Sequence, residues 1–353
     1  MITYDVAVIG AGPAGSVFAS YLAKHTNLKI LLIDGQSEKN PKMCGGLLAP
    51  DAQRVLSEMG LTLPKSVLAD PQIFSVETAD ICSGEVRHYQ RHYLNMNRFA
   101  FDKWLLSLVP DCVDIISGKC TAVEKNEGFT LKTDCGEYKA NILVGADGAG
   151  SLVRRSFFKP LYQYVSIQQT FQPIDIMPYS CIFDKKTSDS CSWTVRKEGQ
   201  FIFGGAFEKK NCRNAFERQK SRLERFVGKS FGKPIKTEAC LVSSPRKFRD
   251  FVLGKKDIYL VGEAAGFISA SSFEGISSAM ISGQLLAQSF CEENVIKAYR
   301  KKTLKLRVKL YTKIWKRRIL CSPILRYIIM KSGVQSIKIS RERMVTAKTI
   351  HHP

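Results

Sequence analysis

Two short apolar runs open the chain, YDVAVI from Tyr4 to Ile9 and LKILLID ending at Asp34, with a Gly-rich segment and a mixed stretch between them. The pattern predicts strand, tight turn, helix and second strand over Met1 to about Gly35. No period holds from Gln36 to Pro50, so a loop is expected there, and Asp51 then reads as the cap of a helix to Met59. Strands are expected over Ile73–Thr78 and Val86–Met96. In the second, a period of two puts His88, Gln90 and His92 on one face and Tyr89, Arg91 and Tyr93 on the other. Asn97 suits the cap of a helix starting Arg98-Phe99-Ala100-Phe101-Asp102. Further strands are expected around Cys120–Val123, Phe129–Thr133 and Ile142–Val144. The stretch Tyr164–Val252 is strand-rich with one helix near Arg213–Val227, and a strand Asp257–Gly262 and a helix Gly275–Cys291 follow.

The turn between the first two strands reads Gly10-x-Gly12-Pro13-Ala14-Gly15. Glycines so spaced let the backbone turn tightly, approach a pyrophosphate and pack helix on sheet. The free N–H groups of the helix N-terminus face phosphate charge, and the carboxylate of Asp34 suits a ribose hydroxyl. Strand, helix and spacing agree, so the chain is expected to bind a dinucleotide. The element order predicts an α/β (α+β) fold. A discontinuous Rossmann-type domain (1–72, 97–156 and 254–294) is interrupted by an inserted antiparallel-sheet domain (73–96 and 157–253), with a pocket where the two layers meet.

Composition narrows the class. At 353 residues, 44% hydrophobic and 24% charged, the chain is long enough for two domains with a large core and is not of disordered type. Eleven Cys without a C-x-x-C pair predict a reducing, cytoplasmic setting with mostly buried free thiols, and a first strand at the very start leaves no room for a signal peptide. The five His are scattered, so no metal is expected. Formal charge is +21 and uneven: from Val295 onward 17 Lys/Arg stand against one acid, Glu342, whereas 36 basic and 31 acidic residues precede them. That points to one local basic surface in a C-terminal helical region (295–353), not to a nucleic-acid-binding protein.

Within the region, Ala298–Arg318 is expected to be one helix. Leu304, Val308, Tyr311 and Trp315 form its apolar stripe, with Leu310 and Ile314 alongside. Lys302, Lys305, Lys309, Lys313, Lys316 and Arg317 lie opposite, and Leu306 and Arg307 break the pattern. Ser322-Pro323 ends it, and a short apolar helix over Ile324–Met330 is closed by Gly333. The stripe either packs on the first domain or, with its cations, sits over 298–332 on an anionic membrane surface. No run approaches the ~20 apolar residues that span a bilayer.

Three segments together resemble one superfamily: Gly10–Asp34, VGADGAGSLVRR (Val144–Arg155) and LVGEAAGFISASSFEGISSAM (Leu260–Met280). They resemble the FAD-dependent fold shared by aromatic hydroxylases and geranylgeranyl reductases. Cys44-Gly45-Gly46, Asn97-Arg98-x-x-Phe101-Asp102 and GEAAG…EGI closing at Ser282-Gly283 favour the reductases, most of all the bacterial CbrA-type branch, over roughly Met1 to Asn294. The resemblance implies non-covalent FAD held by Gly10, Gly12, Pro13, Ala14, Gly15, Asp34, Cys44, Gly45, Gly46, Arg98, Asp147, Gly148, Gly262, Glu263, Gly275 and Ile276. Glu263 replaces the family's usual Asp. Gly275 starts a helix whose N–H groups would face the pyrimidine edge of the flavin. Cys44 is placed beside ring and substrate, either as a proton donor or as a small buried thiol next to the Gly pair that the ring needs.

The substrate pattern is less well kept. Of Y-x-W-x-F-P only Trp193 survives, and Ala270 and Phe273 replace the usual Pro and Gly. His88, Gln90, His92, Trp193 and Phe273 are the expected channel residues. Three functions follow from the resemblance: reduction of isoprenoid C=C bonds by hydride from reduced flavin, hydroxylation of an aromatic or lipid substrate, and electron transfer at a membrane surface. NADPH, ferredoxin or another donor fits each.

Overall fold

The computed structural model describes residues 2–36, 42–174 and 179–338. Part of the expected 36–50 loop and the end of the basic region, 339–353, lie outside the described residues.

The first sheet is built on β1 (Thr3–Ile9) and β2 (Ile30–Asp34), joined by α1 (Pro13–His25). β3 (Leu47–Leu48), α2 (Pro50–Glu58), β4 (Ile73–Asp80), β5 (Val86–Asn95) and α3 (Arg98–Ser107) follow. The chain then returns through β6 (Asp114–Ser117), β7 (Cys120–Lys125), β8 (Phe129–Thr133), β9 (Gly136–Gly145) and α4 (Leu152–Phe157). Next come β10 (Gln163–Phe171), β11 (Tyr179–Phe183), β12 (Cys191–Lys197), β13 (Gln200–Glu208), α5 (Cys212–Val227) and β14 (Lys236–Ser243). The chain re-enters the first sheet with β15 (Gly254–Lys255) and β16 (Ile258–Leu260) and ends in α6 (Ile276–Ser289), α7 (Val295–Lys302), α8 (Leu304–Cys321) and α9 (Pro323–Ser332).

Among the described residues the strands form two eight-stranded sheets. The first runs β15-β16-β9-β1-β2-β6, with β8 and β7 attached at β9; its β16, β9, β1, β2 and β6 are parallel. The second runs β14-β10-β13-β12-β11-β4-β5-β3 and is antiparallel except where β11 meets β4. Strands of 73–96 and 157–253 thus all lie in the second sheet. β1 is almost wholly buried: Phe18 and Leu22 of α1, Leu286 of α6 and Phe129 and Leu131 of β8 share its core. One face of the second sheet carries Ile167, Phe171, Phe201, Phe203 and Phe207 against Phe216 and Leu223 of α5. The opposite face is turned toward the first domain.

Three local expectations change. Leu47–Leu48, inside the expected loop, pairs with Leu94 and Asn95 and ties that segment to the second sheet. Asp51 does not cap α2: Pro50 opens the helix after Ala49, since a proline needs no N–H partner in the first turn. Asp51 instead accepts a bond from Ser277 Oγ at 2.9 Å. The expected 298–318 helix is two, divided at buried Thr303, whose hydroxyl bonds the Tyr299 carbonyl.

The orientation of α8 also differs from the expected one. Leu306, Arg307, Leu310 and Ile314 face inward, while Leu304, Val308 and Trp315 are exposed. The sequence period missed this because two arginines are inward-facing. Arg307 donates to the Arg300 carbonyl and lies over the Phe248 ring. Arg317 lies over Tyr164 and bonds Asp189 and Ser244. A guanidinium that is hydrogen-bonded and stacked can face a core, and hydropathy alone does not register it.

Candidate cofactor and active site

The β1–α1 turn is built by steric necessity. Gly10 adopts φ +105°, and a Cβ there would lie 2.5 Å from the Ala146 carbonyl oxygen; one on Gly15 would strike the Gly10 carbonyl. Gly12 is different. It has φ −71°, open to any residue, and a Cβ there would meet nothing within 4 Å. The space before Gly12 is therefore a cradle that a side chain would fill. α1 begins there with Pro13, with no capping side chain and no acid in its first turn, so its N–H groups are available to an anion. Ala14 is pressed between Gly262 and Gly283, which holds α1 against α6.

Asp34 closes β2 and is buried; its carboxylate accepts from the Gln36 amide (3.0 Å) and pairs with Lys103 (2.8 Å). Asn97 caps α3 by accepting from the Ala100 amide, which sets Arg98 at its first position. Arg98 donates to Asp102 at 2.8 Å, and Gln36 donates to the other oxygen of that carboxylate at 3.1 Å. Burial opposes the charge of Arg98, but Asp102 and then Cys44 hold its pKa above the ordinary value.

Cys44, Gly45 and Gly46 form a loop pressed against β12. A Cβ on Gly45 would lie 3.3 Å from the Trp193 indole nitrogen, and one on Gly46 (φ +68°) would strike Lys197 Nζ. Lys197 donates to the carbonyls of Gly45 (2.9 Å), Gly46 (3.3 Å) and Met96 (2.8 Å), so all three of its protons are used. Burial lowers its pKa to about 8. Trp193 fits because its cross-strand neighbour is Gly204, where a Cβ would lie 2.7 Å from the ring. The neighbouring Cys240 thiol is pushed up to about 11 by burial, so it stays protonated.

On the other side of the cleft, Glu263 accepts from the Ser243 amide (2.8 Å) and from Lys42 (3.3 Å). Lys42 also lies near Gly148, which has φ +71°. Asp147 holds the start of α4 with one oxygen, bonded to the Leu152 amide at 2.6 Å. Its other oxygen is buried with no partner among the described residues, as is the Trp193 indole N–H. Burial raises the pKa of Asp147. Gly275 caps α6, which opens at Ile276 with no side-chain cap. Phe273 holds φ +56° with its ring tilted against Tyr164.

The structure thus gathers Cys44, Gly45, Gly46, Arg98 and Trp193 in one cluster, and Gly262 with Ala14 in another. It does not bring His88, Gln90 and His92 to the cleft. Gln90 and His92 are exposed, and His88 pairs with Ile337. Their alternate, Tyr93, is the β5 side chain that reaches inward. It donates to Glu274 at 2.7 Å and packs on Tyr179. The pairing of β5 with β4 shifts register between Gln90 and Tyr93, so the period of two does not carry through to Tyr93. Lys42, Lys103 and Lys197 were missed by the sequence. Only Lys197 carried a signal, since it continues the Trp193, Val195, Lys197 alternation of one strand.

The clearance around Gly12, an uncapped helix N-terminus, a carboxylate ending β2, and Asp147 Oδ1 and Trp193 Nε1, which have no partner among the described residues, fit a dinucleotide flavin. Comparison with known proteins agrees. A family model described as an NAD(P)-binding Rossmann-like domain matches residues 8–39. The chain is 45% identical over 349 residues to Protein CbrA of Escherichia coli O6:H1, covering 95% of this chain and 94% of that one. The match to Protein CbrA of Shigella dysenteriae serotype 1 is 44%, covering 95% and 98%. Among solved structures, a geranylgeranyl bacteriochlorophyll reductase-like protein from Thermoplasma acidophilum superposes with a TM-score of 0.80 at 21% identity, covering 96% of this chain and 94% of that one. A flavin-dependent brominase superposes with a TM-score of 0.67 at 18% identity, covering 94% and 93%. The fold is that of flavin-dependent oxidoreductases. No helix among the described residues is long and apolar enough to cross a membrane.

Proposed function

Since the chain belongs to the CbrA family, we propose that it binds FAD non-covalently and reduces C=C bonds of an isoprenoid lipid. The observation that carries this reading is the Cys44–Gly46 loop closed on Trp193 and held by Lys197. Two glycines without side chains let backbone approach a ring, and the Trp193 indole beside them offers an apolar surface to an alkene. When bound and reduced, FAD supplies the hydride for one alkene carbon. The protein's residues do the rest. The α1 N-terminus and Gly12 receive the pyrophosphate, Asp34 and Arg98 take the adenosine side, and Glu263 the ribityl chain. Cys44 holds a proton at Sγ for the other alkene carbon. Arg98, in electrostatic contact with Cys44, steadies the thiolate left when that proton departs. Trp193 and Phe273 line the approach.

Hydroxylation of a polar aromatic substrate is the second reading, favoured by the Tyr93–Glu274 pair at the sheet interface. Anaerobic stopped-flow spectroscopy separates the two. Dithionite-reduced protein is expected to be reoxidised by a polyprenyl lipid. No reoxidation by such lipids, together with NADPH reduction accelerated by an aromatic ligand, would replace the first reading with the second.

A further inference from the structure

We infer that the outward face of α8 and α9 docks the protein on an anionic lipid bilayer. Between 295 and 332 there are thirteen Lys/Arg and no Asp or Glu. Part of that charge is internal: Lys302, Lys309, Arg317, Arg326 and Lys331 pair with Glu292, Asp51, Asp189, Asp80 and Glu85. Lys297, Arg300, Lys301, Lys305 and Arg318 are exposed and paired with no carboxylate among the described residues.

Next to these cations runs an apolar ridge that the fold leaves bare. Leu304 is 52% exposed, Val308 48%, Trp315 52% and Ile319 42%. At about 100° per residue these four fall within roughly 60° of one another and about 150° from the buried row Leu306, Leu310, Ile314. The ridge continues onto α9, where Ile324 is 72% and Ile328 57% exposed. Lys301 and Lys305 flank it, and Arg318 lies 4.6 Å over the Trp315 ring. Large exposed apolar side chains in a contiguous row mark a surface that is covered in use.

The pair of helices is not a loose appendage. Arg326 is bonded to buried Asp80 at 2.8 Å, and Arg87 of β5 donates to the Met330 carbonyl at 2.7 Å. Arg317 locks α8 to Asp189 and Tyr164, whose ring meets Phe273. The face is therefore presented by rigid elements beside the substrate sheet.

Charge selects the occupant. A second copy in a two-fold contact would set the same cations against themselves. Nucleic acid answers the lysines but offers nothing to a row of Leu, Ile and Trp. A bilayer with anionic headgroups answers both, taking the apolar ridge at the acyl boundary and the cations at the phosphates. The docking stands apart from the substrate assignment, because it is read on vesicles without turnover.

The test uses the full chain with vesicles of phosphatidylglycerol and of phosphatidylcholine. Sedimentation with phosphatidylglycerol vesicles at low salt, reversed by high salt, and a blue-shifted Trp315 emission are expected. Lys301→Gln with Lys305→Gln should weaken binding about 25-fold, at about five-fold for each cation removed. Ile324→Ser with Ile328→Ser should weaken it further while thermal stability holds, since both side chains are exposed. No sedimentation at low salt, equal binding to both vesicles, or preferential binding to DNA would overturn the inference. So would concentration-dependent dimerisation that buries Trp315.

Discussion

Replacing Gly12 with valine separates a folding glycine from a binding glycine. At φ −71° the backbone accepts any residue, and a Cβ meets nothing within 4 Å, so the ligand-free protein should lose no stability. Reduced freedom of the unfolded chain even favours the variant by about 0.4–1 kcal/mol. The cost falls on the cofactor, because the valine methyls occupy the space where backbone meets pyrophosphate. FAD at about 100 times its dissociation constant stabilises a protein by about 2.7 kcal/mol, which for a chain of this size raises the melting temperature by roughly 4 °C. Gly12→Val should abolish that increment. Gly15→Ala is the control: its Cβ strikes the Gly10 carbonyl, so it should lower the melting temperature of the ligand-free protein by itself. Scanning fluorimetry with and without FAD, and flavin absorbance after gel filtration, read both effects. A Gly12→Val protein that keeps the full FAD increment would refute the placement of the pyrophosphate. One that melts early without FAD would make Gly12 a folding residue like Gly15.

Cys44→Ser should keep the flavin spectrum and slow alkene reduction by about 10²–10⁴ in single-turnover kinetics; unchanged turnover would leave Cys44 a packing residue. Lys197 has a pKa of about 8 in the folded protein, lowered by burial from an ordinary 10.5. Between those values the unfolded chain binds the proton that the folded one has lost, so this group makes stability rise as pH rises from about 8 to 10.5. Lys197→Met should erase that rise in urea unfolding and loosen the Cys44–Gly46 loop, seen as faster loss of FAD. Arg326→Met should cost about 3–5 kcal/mol, because Asp80 is left charged and buried. Adding Asp80→Asn should recover part of that loss, and a double mutant no better than the single would deny the pairing.

The cofactor turn was legible because its demands are local. Strand, glycine spacing and Asp34 lie within one βαβ unit, and Gly10 and Gly15 answer contacts with Ala146 and with Gly10 itself, while Gly12 leaves open space. The Lys103–Asp34 and Lys42–Glu263 pairs join residues 69 and 221 positions apart. No sequence period records such meetings. On β5 a register shift between Gln90 and Tyr93 breaks the alternation, and a sequence period does not foresee such an irregularity. The polar row His88, Gln90, His92 looked like a site, yet Tyr93 reaches Glu274. The same gap explains α8. An apolar period does not by itself mean burial: hydrogen-bonded Arg307 and Arg317 turn inward and leave Leu304, Val308 and Trp315 outside.

The most direct test is the flavin content of the purified protein. After saturation with FAD and gel filtration, equimolar flavin is expected to stay bound, keep the oxidised absorbance bands and be released intact by denaturation. A colourless protein that takes up no added FAD would show that the Gly10–Gly15 turn does not hold the dinucleotide.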